Sequence, residues 1–125
     1  MTKEEFKQYS ELQEKFAMDV FRVIGFLKEI DPDLKYVSEF QLLDGGSIQT
    51  HGWEYGMYQY SEEHYGFFDS ETLTWSDEQL REYVDEKIKE REVAAIAKAE
   101  LSKKQKEEEE RREYERLKEK FGDGK

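Results

Sequence analysis

"KYVSEFQLLDGGSIQTHGWEYGMYQYSEEHYGFFD", residues 35–69, carries the strand pattern of this chain. Its first part, "KYVSEFQLL", alternates. Tyr36, Ser38, Phe40 and Leu42 fall on one face, and Val37, Glu39, Gln41 and Leu43 on the other, which is the period of a strand. "DGG" at 44–46 is a hairpin turn, because glycine takes positive φ at no steric cost. "SIQTHGWEYGMYQY" returns as a second strand, in which Gly52 and Gly56 predict bulges or a sharp bend. "SEEH" turns the chain again, and "YGFFD" forms a short third strand. The expectation is a three-stranded antiparallel meander.

Helical periodicity flanks this sheet. Thr2-Lys3-Glu4-Glu5 fits a capping box. Phe6, Tyr9, Leu12, Phe16, Val20, Val23, Leu27 and Ile30 then recur at steps of three and four. Ala17, Phe21, Ile24 and Phe26 widen the stripe in its second half, so that half should be covered on more than one side. Pro32 in "DPD" stops the helix. Downstream, Ser76 caps a second helix with Gln79 at its third position, and no breaker follows before Gly122. Leu80, Tyr83, Val84, Ile88, Ala95 and Ala99 give one stripe that drifts through Val93, Ile96 and Leu101. A helix over 77–121 would be about 65 Å long at about 1.5 Å per residue. The fold class is therefore α+β in the order α-β-β-β-α, with the first helix and the start of the second covering one sheet face.

Charge divides the chain. Residues 1–95 carry 22 acidic and 10 basic side chains, whereas residues 96–125 carry 9 and 10. No apolar side chain occurs from Ser102 to Glu113, so the expected organisation is an acidic body over 1–101 and a charged helical extension over 102–125. Four-residue pairs such as Glu107 with Arg111 and Glu108 with Arg112 support that extension by roughly 0.2–0.5 kcal/mol each. It has too few apolar positions for a conventional coiled coil. Tyr114, Leu117 and Phe121 recur at helical spacing near its end and are the candidates for oligomerisation, as a homodimer, or for folding back on the body.

The composition excludes several chemistries. Without cysteine there are no disulfides, thiolate metal sites or thiol nucleophiles. No 18-residue apolar span and no signal-peptide run occur, so a cytoplasmic location and no membrane partner are expected. GxSxG, GxxxxGK[ST] and a strand-borne GxGxxG are all missing, and Glu62-Glu63 on a turn makes a poor acid–base pair. No enzyme activity and no cofactor are expected. His51 and His64, with Glu54, Glu62, Glu63 and Asp69 nearby, match no metal-ligand spacing, and no metal is assigned. Lys98, Lys103, Lys104 and Lys106 are too small a basic patch to indicate nucleic acid, which the acidic body would repel.

Seven aromatics crowd residues 51–68: Trp53, Tyr55, Tyr58, Tyr60, Tyr65, Phe67 and Phe68. The plainer expectation is that most of them pack in the core and across strands. Seven is nevertheless too many for one face of a small sheet, so some among Trp53, Tyr55, Tyr58 and Tyr60 should reach the surface as contact anchors. With Glu54, Glu62, Glu63, Asp69 and Glu71 they make a candidate protein-binding surface. "FQLLDGGSIQTHGWEYGMY" and "YGFFDSETLTWSDEQLREYV", joined to the lack of enzyme motifs, resemble the small acidic accessory proteins encoded by phages and prophages over residues 35–90. That resemblance implies an anti-defence role, as in anti-CRISPR proteins, within a host cytoplasm. The leading expectation is a non-enzymatic inhibitor or regulator whose acidic surface docks on a basic, nucleic-acid-handling protein such as a defence nuclease. The alternatives are an assembly protein built on the long helix, and a small-ligand or metal-binding domain that uses His51 and His64.

Overall fold

The computed structural model describes residues 1–122. The observed order is α1 (Lys3–Leu27), a 3-10 turn (Pro32–Leu34), β1 (Glu39–Leu42), β2 (Ser47–Tyr55), β3 (Ser61–Asp69), a second 3-10 turn (Ser70–Thr74) and α2 (Asp77–Gly122). This is the expected α+β arrangement, and the sheet is an antiparallel meander in the order β1-β2-β3. Both predicted helix starts are made. The Thr2 hydroxyl accepts from the Glu5 N–H at 3.1 Å. At α2 the box closes reciprocally, Gln79 N–H donating to Ser76 Oγ at 3.2 Å and Ser76 N–H to Gln79 Oε1 at 2.9 Å.

The strands differ from expectation in three respects. β1 begins only at Glu39, because Tyr36 and Val37 cross over the sheet at Gly52 instead of pairing. Gly52 is therefore neither a bulge nor a bend, and the β2–β3 register runs unbroken from Ser47↔Asp69 to Tyr55↔Ser61. A Cβ at Gly52 would collide with the Tyr36 carbonyl, so its lack of a side chain admits the crossing backbone. Third, "SEEH" is strand, and the chain turns earlier, over Met57–Tyr60. There Tyr58 and Gln59 both take left-handed φ, of 58° and 62°. That turn has none of the usual Asn-Gly signature, which hid it from a reading by composition. The first turn is as expected, with Gly45 and Gly46 at φ 96° and 90°.

The chain divides into two units, Met1–Lys87 and one beginning at Ile88. In the first, the buried apolar side chains are Val20, Val23, Ile24 and Leu27 of α1, Ile30 and Leu34 after it, Ile48 and Phe68 of the sheet, and Leu80 and Val84 of α2. Leu34 lies against Gly66, and the Phe16 and Phe21 rings stand 5.9 and 5.6 Å from Phe40. The second half of the α1 stripe is thus in the core along Val20, Val23, Ile24 and Leu27, but not all round. Phe21 is 48% exposed and Ala17 and Phe26 are half-buried, so it is not covered on more than one side as expected. Phe6, Tyr9 and Leu12 in the first half are exposed. Arg22 reaches from α1 to Asp77 (2.7 Å) and to the carbonyls of Leu73 (3.3 Å) and Trp75 (3.0 Å). Arg81 grips Glu29 through both carboxylate oxygens, at 2.7 and 3.1 Å. Together these hold the start of α2 to α1. In the second unit, Val93, Ile96, Leu101, Tyr114, Leu117 and Phe121 are all exposed.

Candidate functional site

The pleat sorts the β2–β3 hairpin into two surfaces. Ile48, Thr50 and Gly52 alternate with half-exposed or exposed neighbours, and they pair with Phe68, Gly66 and His64 on the covered face. Gln49, His51 and Trp53 pair with Phe67, Tyr65 and Glu63 on the other, which is open to solvent. β1 extends this open face with Glu39 beside His51 and Gln41 beside Gln49.

Aromatic residues dominate the open face. Tyr65, Phe67 and Trp53 are 48%, 56% and 41% exposed, and Tyr55 at its end is 81% exposed. Tyr58 and Tyr60 at the turn are exposed as well, so of the seven aromatics only Phe68 is buried. The expectation that most are core is corrected. At the middle of its covered side the hairpin carries Gly52 and Gly66, because the Tyr36 backbone and Leu34 come too close there for a side chain. The aromatic positions consequently face outward, and Trp53, Tyr55, Tyr58 and Tyr60 reach the surface as foreseen.

Each histidine is clamped between carboxylates, on opposite faces of the sheet. On the open face, His51 Nδ1 lies 2.7 Å from Glu39 and Nε2 lies 2.5 Å from Glu63, with Tyr65 stacked on the ring at 4.8 Å. Glu39 foremost, then Glu63, hold its pKa above the ordinary 6.5. Glu63 sits below the usual carboxylate value, chiefly through the Tyr65 hydroxyl at 2.6 Å and then His51.

On the covered side, His64 Nδ1 lies 2.9 Å from Asp33 of the 3-10 turn, and Nε2 lies 3.0 Å from Glu54 and 4.0 Å from Glu62. Tyr36 stacks on the His64 ring at 5.1 Å and donates to Glu54 at 3.1 Å. Tyr60 donates to Glu62 at 3.1 Å. The His64 pKa is raised by Asp33 first and Glu54 next, while Glu54 is lowered by His64 and Tyr36. The tyrosines' own pKa values rise through these same carboxylates, Glu54 for Tyr36 and Glu62 for Tyr60.

The structure thus separates the residues that sequence grouped. His51 and His64 do not converge on one site. Trp53, Tyr55 and Glu63 share the open face, whereas Glu54, Glu62 and Tyr60 belong to the His64 cluster. Asp69 lies eight positions along β3 from Ser61, roughly 26 Å away at about 3.3 Å per residue. There it caps the second 3-10 turn, accepting from the Glu71 N–H at 2.9 Å. Asp33, Tyr36, Glu39 and Tyr65 complete these clusters beyond the residues expected from sequence. Only Glu39 and Tyr65 had an available signal, in their register with His51. No family model, curated protein or solved structure matches this chain.

Proposed function

We propose that this protein is a non-enzymatic inhibitor or regulator that docks on a basic, nucleic-acid-handling partner through the open face of its sheet. The exposed row Trp53, Tyr55, Tyr65 and Phe67, flanked by Glu39 and Glu63, carries the reading. Large, rigid aromatics give contact area at little entropic cost and are the usual anchors of protein interfaces. The surplus of 22 acidic over 10 basic side chains in residues 1–95 supports a basic partner, since it favours steered association with a positive surface. The phage-like pattern of residues 35–90 adds defence nucleases to the partners of that chemistry.

The test begins by capturing partners from host lysate at low and high salt, then measures one purified basic partner. Reversing the charges of Glu39 and Glu63, the carboxylates of the open face, should slow association and flatten its salt dependence. Trp53→Ala should speed dissociation, with a cost of about 2 kcal/mol for a central anchor. Added DNA or RNA should compete. Unchanged binding after both reversals and Trp53→Ala would sink the proposal.

A second reading, assembly through α2, is favoured by the exposed Tyr114, Leu117 and Phe121, which share one stripe of the helix. A small-ligand domain is a third reading. It has the shallow hollow beside His51, lined by Glu39, Phe40, Gln41, Gln49 and Tyr65.

A further inference from the structure

We propose that His64, Glu54 and Glu62 form a binding site for one divalent first-row transition-metal ion, of which Zn2+ is the probe. The inference is independent of the docking proposal. One ligand atom from each of the three residues falls within 4.8 Å of the others, and among the described residues this is the group of three donors that converges in this way. An imidazole nitrogen with two carboxylate oxygens is a donor set that suits zinc and its neighbours better than magnesium or calcium, which take oxygen alone.

The surroundings of the trio make the stronger argument, because each donor is oriented by a group outside it. Asp33 accepts from the Nδ1 side of His64 at 2.9 Å, which aims Nε2 at the two glutamates. That is the carboxylate–histidine arrangement that fixes the tautomer and orientation of metal-bound imidazoles. Tyr36 holds one oxygen of Glu54, leaving the other, 3.0 Å from Nε2, facing inward. The Tyr60 hydroxyl holds Glu62.

Tetrahedral ligands at about 2.0–2.1 Å from zinc stand roughly 3.3 Å apart. His64 and Glu54 are close to that spacing. Glu62, whose nearer oxygen is 4.0 Å from Nε2 and whose side chain is 52% exposed, closes onto the ion by a change of rotamer that its exposure allows. The His64 side chain is 12% exposed, so the nitrogen is sheltered while the carboxylates open to solvent. An ion has an entry path there, and a fourth position is left for water. His51 has no such geometry: its two carboxylates sit on different ring nitrogens and point to opposite sides.

Titration of the full chain with Zn2+ by calorimetry in a non-chelating buffer, alongside thermal unfolding, tests the site. One ion per chain with a rise in midpoint is expected, and His51→Gln should match the unaltered protein in both. Glu62→Gln and Asp33→Asn should bind about 10–100-fold more weakly, and His64→Gln should lose the saturable phase. Circular dichroism establishes that each variant is folded. If His64→Gln is not, Glu62→Gln decides, since Glu62 is an exposed side chain outside the core. Absence of saturable binding would overturn the site. So would equal binding by Glu62→Gln and the unaltered protein, which would mark diffuse attraction to a chain of net charge −11, or equal loss in His51→Gln.

Discussion

His51 illustrates how a single side chain can tie three strands. It joins Glu39 of β1 to Glu63 of β3 across β2, and the raised pKa of its ring gives the direction of the pH effect. Protons bind the folded state more tightly here, so the histidine's contribution is complete below the unfolded value of 6.5 and is lost as pH rises through the folded value. Glu63 acts with the opposite sign, contributing above its unfolded value of 4.5 and fading as pH falls through its lowered one. The midpoint of thermal unfolding should therefore fall less steeply between pH 6 and 8.5 in His51→Gln than in the unaltered chain. Equal slopes would show that the knot adds nothing. Tyr58 and Gln59 give a second prediction at this scale. Both hold left-handed backbone without being glycine, and Tyr58 is 99% exposed, so no packing depends on it. Tyr58→Asn with Gln59→Gly supplies the residues that such a hairpin turn favours, and should raise stability by about 1–2 kcal/mol in a denaturant titration.

Among the elements, the two glycines Gly52 and Gly25 make a contrast that the sequence alone does not show. Gly52 lies under the Tyr36 carbonyl, and neither backbone has room to withdraw while Ser38 N–H donates to His51 O at 2.9 Å. Gly52→Ala should cost about 3 kcal/mol or more, by forcing the crossing segment off the sheet. Gly25 sits inside α1 with nothing within 4 Å of where a Cβ would stand. Gly25→Ala should stabilise by about 0.5–1 kcal/mol through helix propensity alone. Chemical denaturation of both variants checks the pair, and a neutral Gly52→Ala would refute the crossing. The helices were legible because their caps and periodicity are local. The second turn was not, because its left-handed residues are Tyr and Gln, and a strand beginning "SEEH" looks like a polar loop until its pairing with β2 is known.

For the whole molecule, every buried apolar side chain among the described residues lies between Val20 and Val84. A chain ending after Leu101 should therefore unfold at an unchanged midpoint, by circular dichroism, within the roughly 0.5 kcal/mol typical of surface changes. Sedimentation of the same chain addresses assembly: a smaller oligomer than that of the full chain is expected if Tyr114, Leu117 and Phe121 join copies. An unchanged oligomeric state would leave α2 without that role.

The element order, both helix caps, the Gly45-Gly46 turn and the concentration of acidic charge in the first 95 residues can be read from the chain without its fold. Each of these follows from neighbours within four positions or from composition. Which way the aromatics face, the parting of the histidines to opposite sides, and the completion of the His64 cluster by Asp33 and Tyr36 arise only on folding. The reason is geometric. A strand's alternation defines two faces but not which one is covered. That choice was made by the Leu34 side chain and the Tyr36 backbone, whose close approach at Gly66 and Gly52 leaves no room there for a side chain.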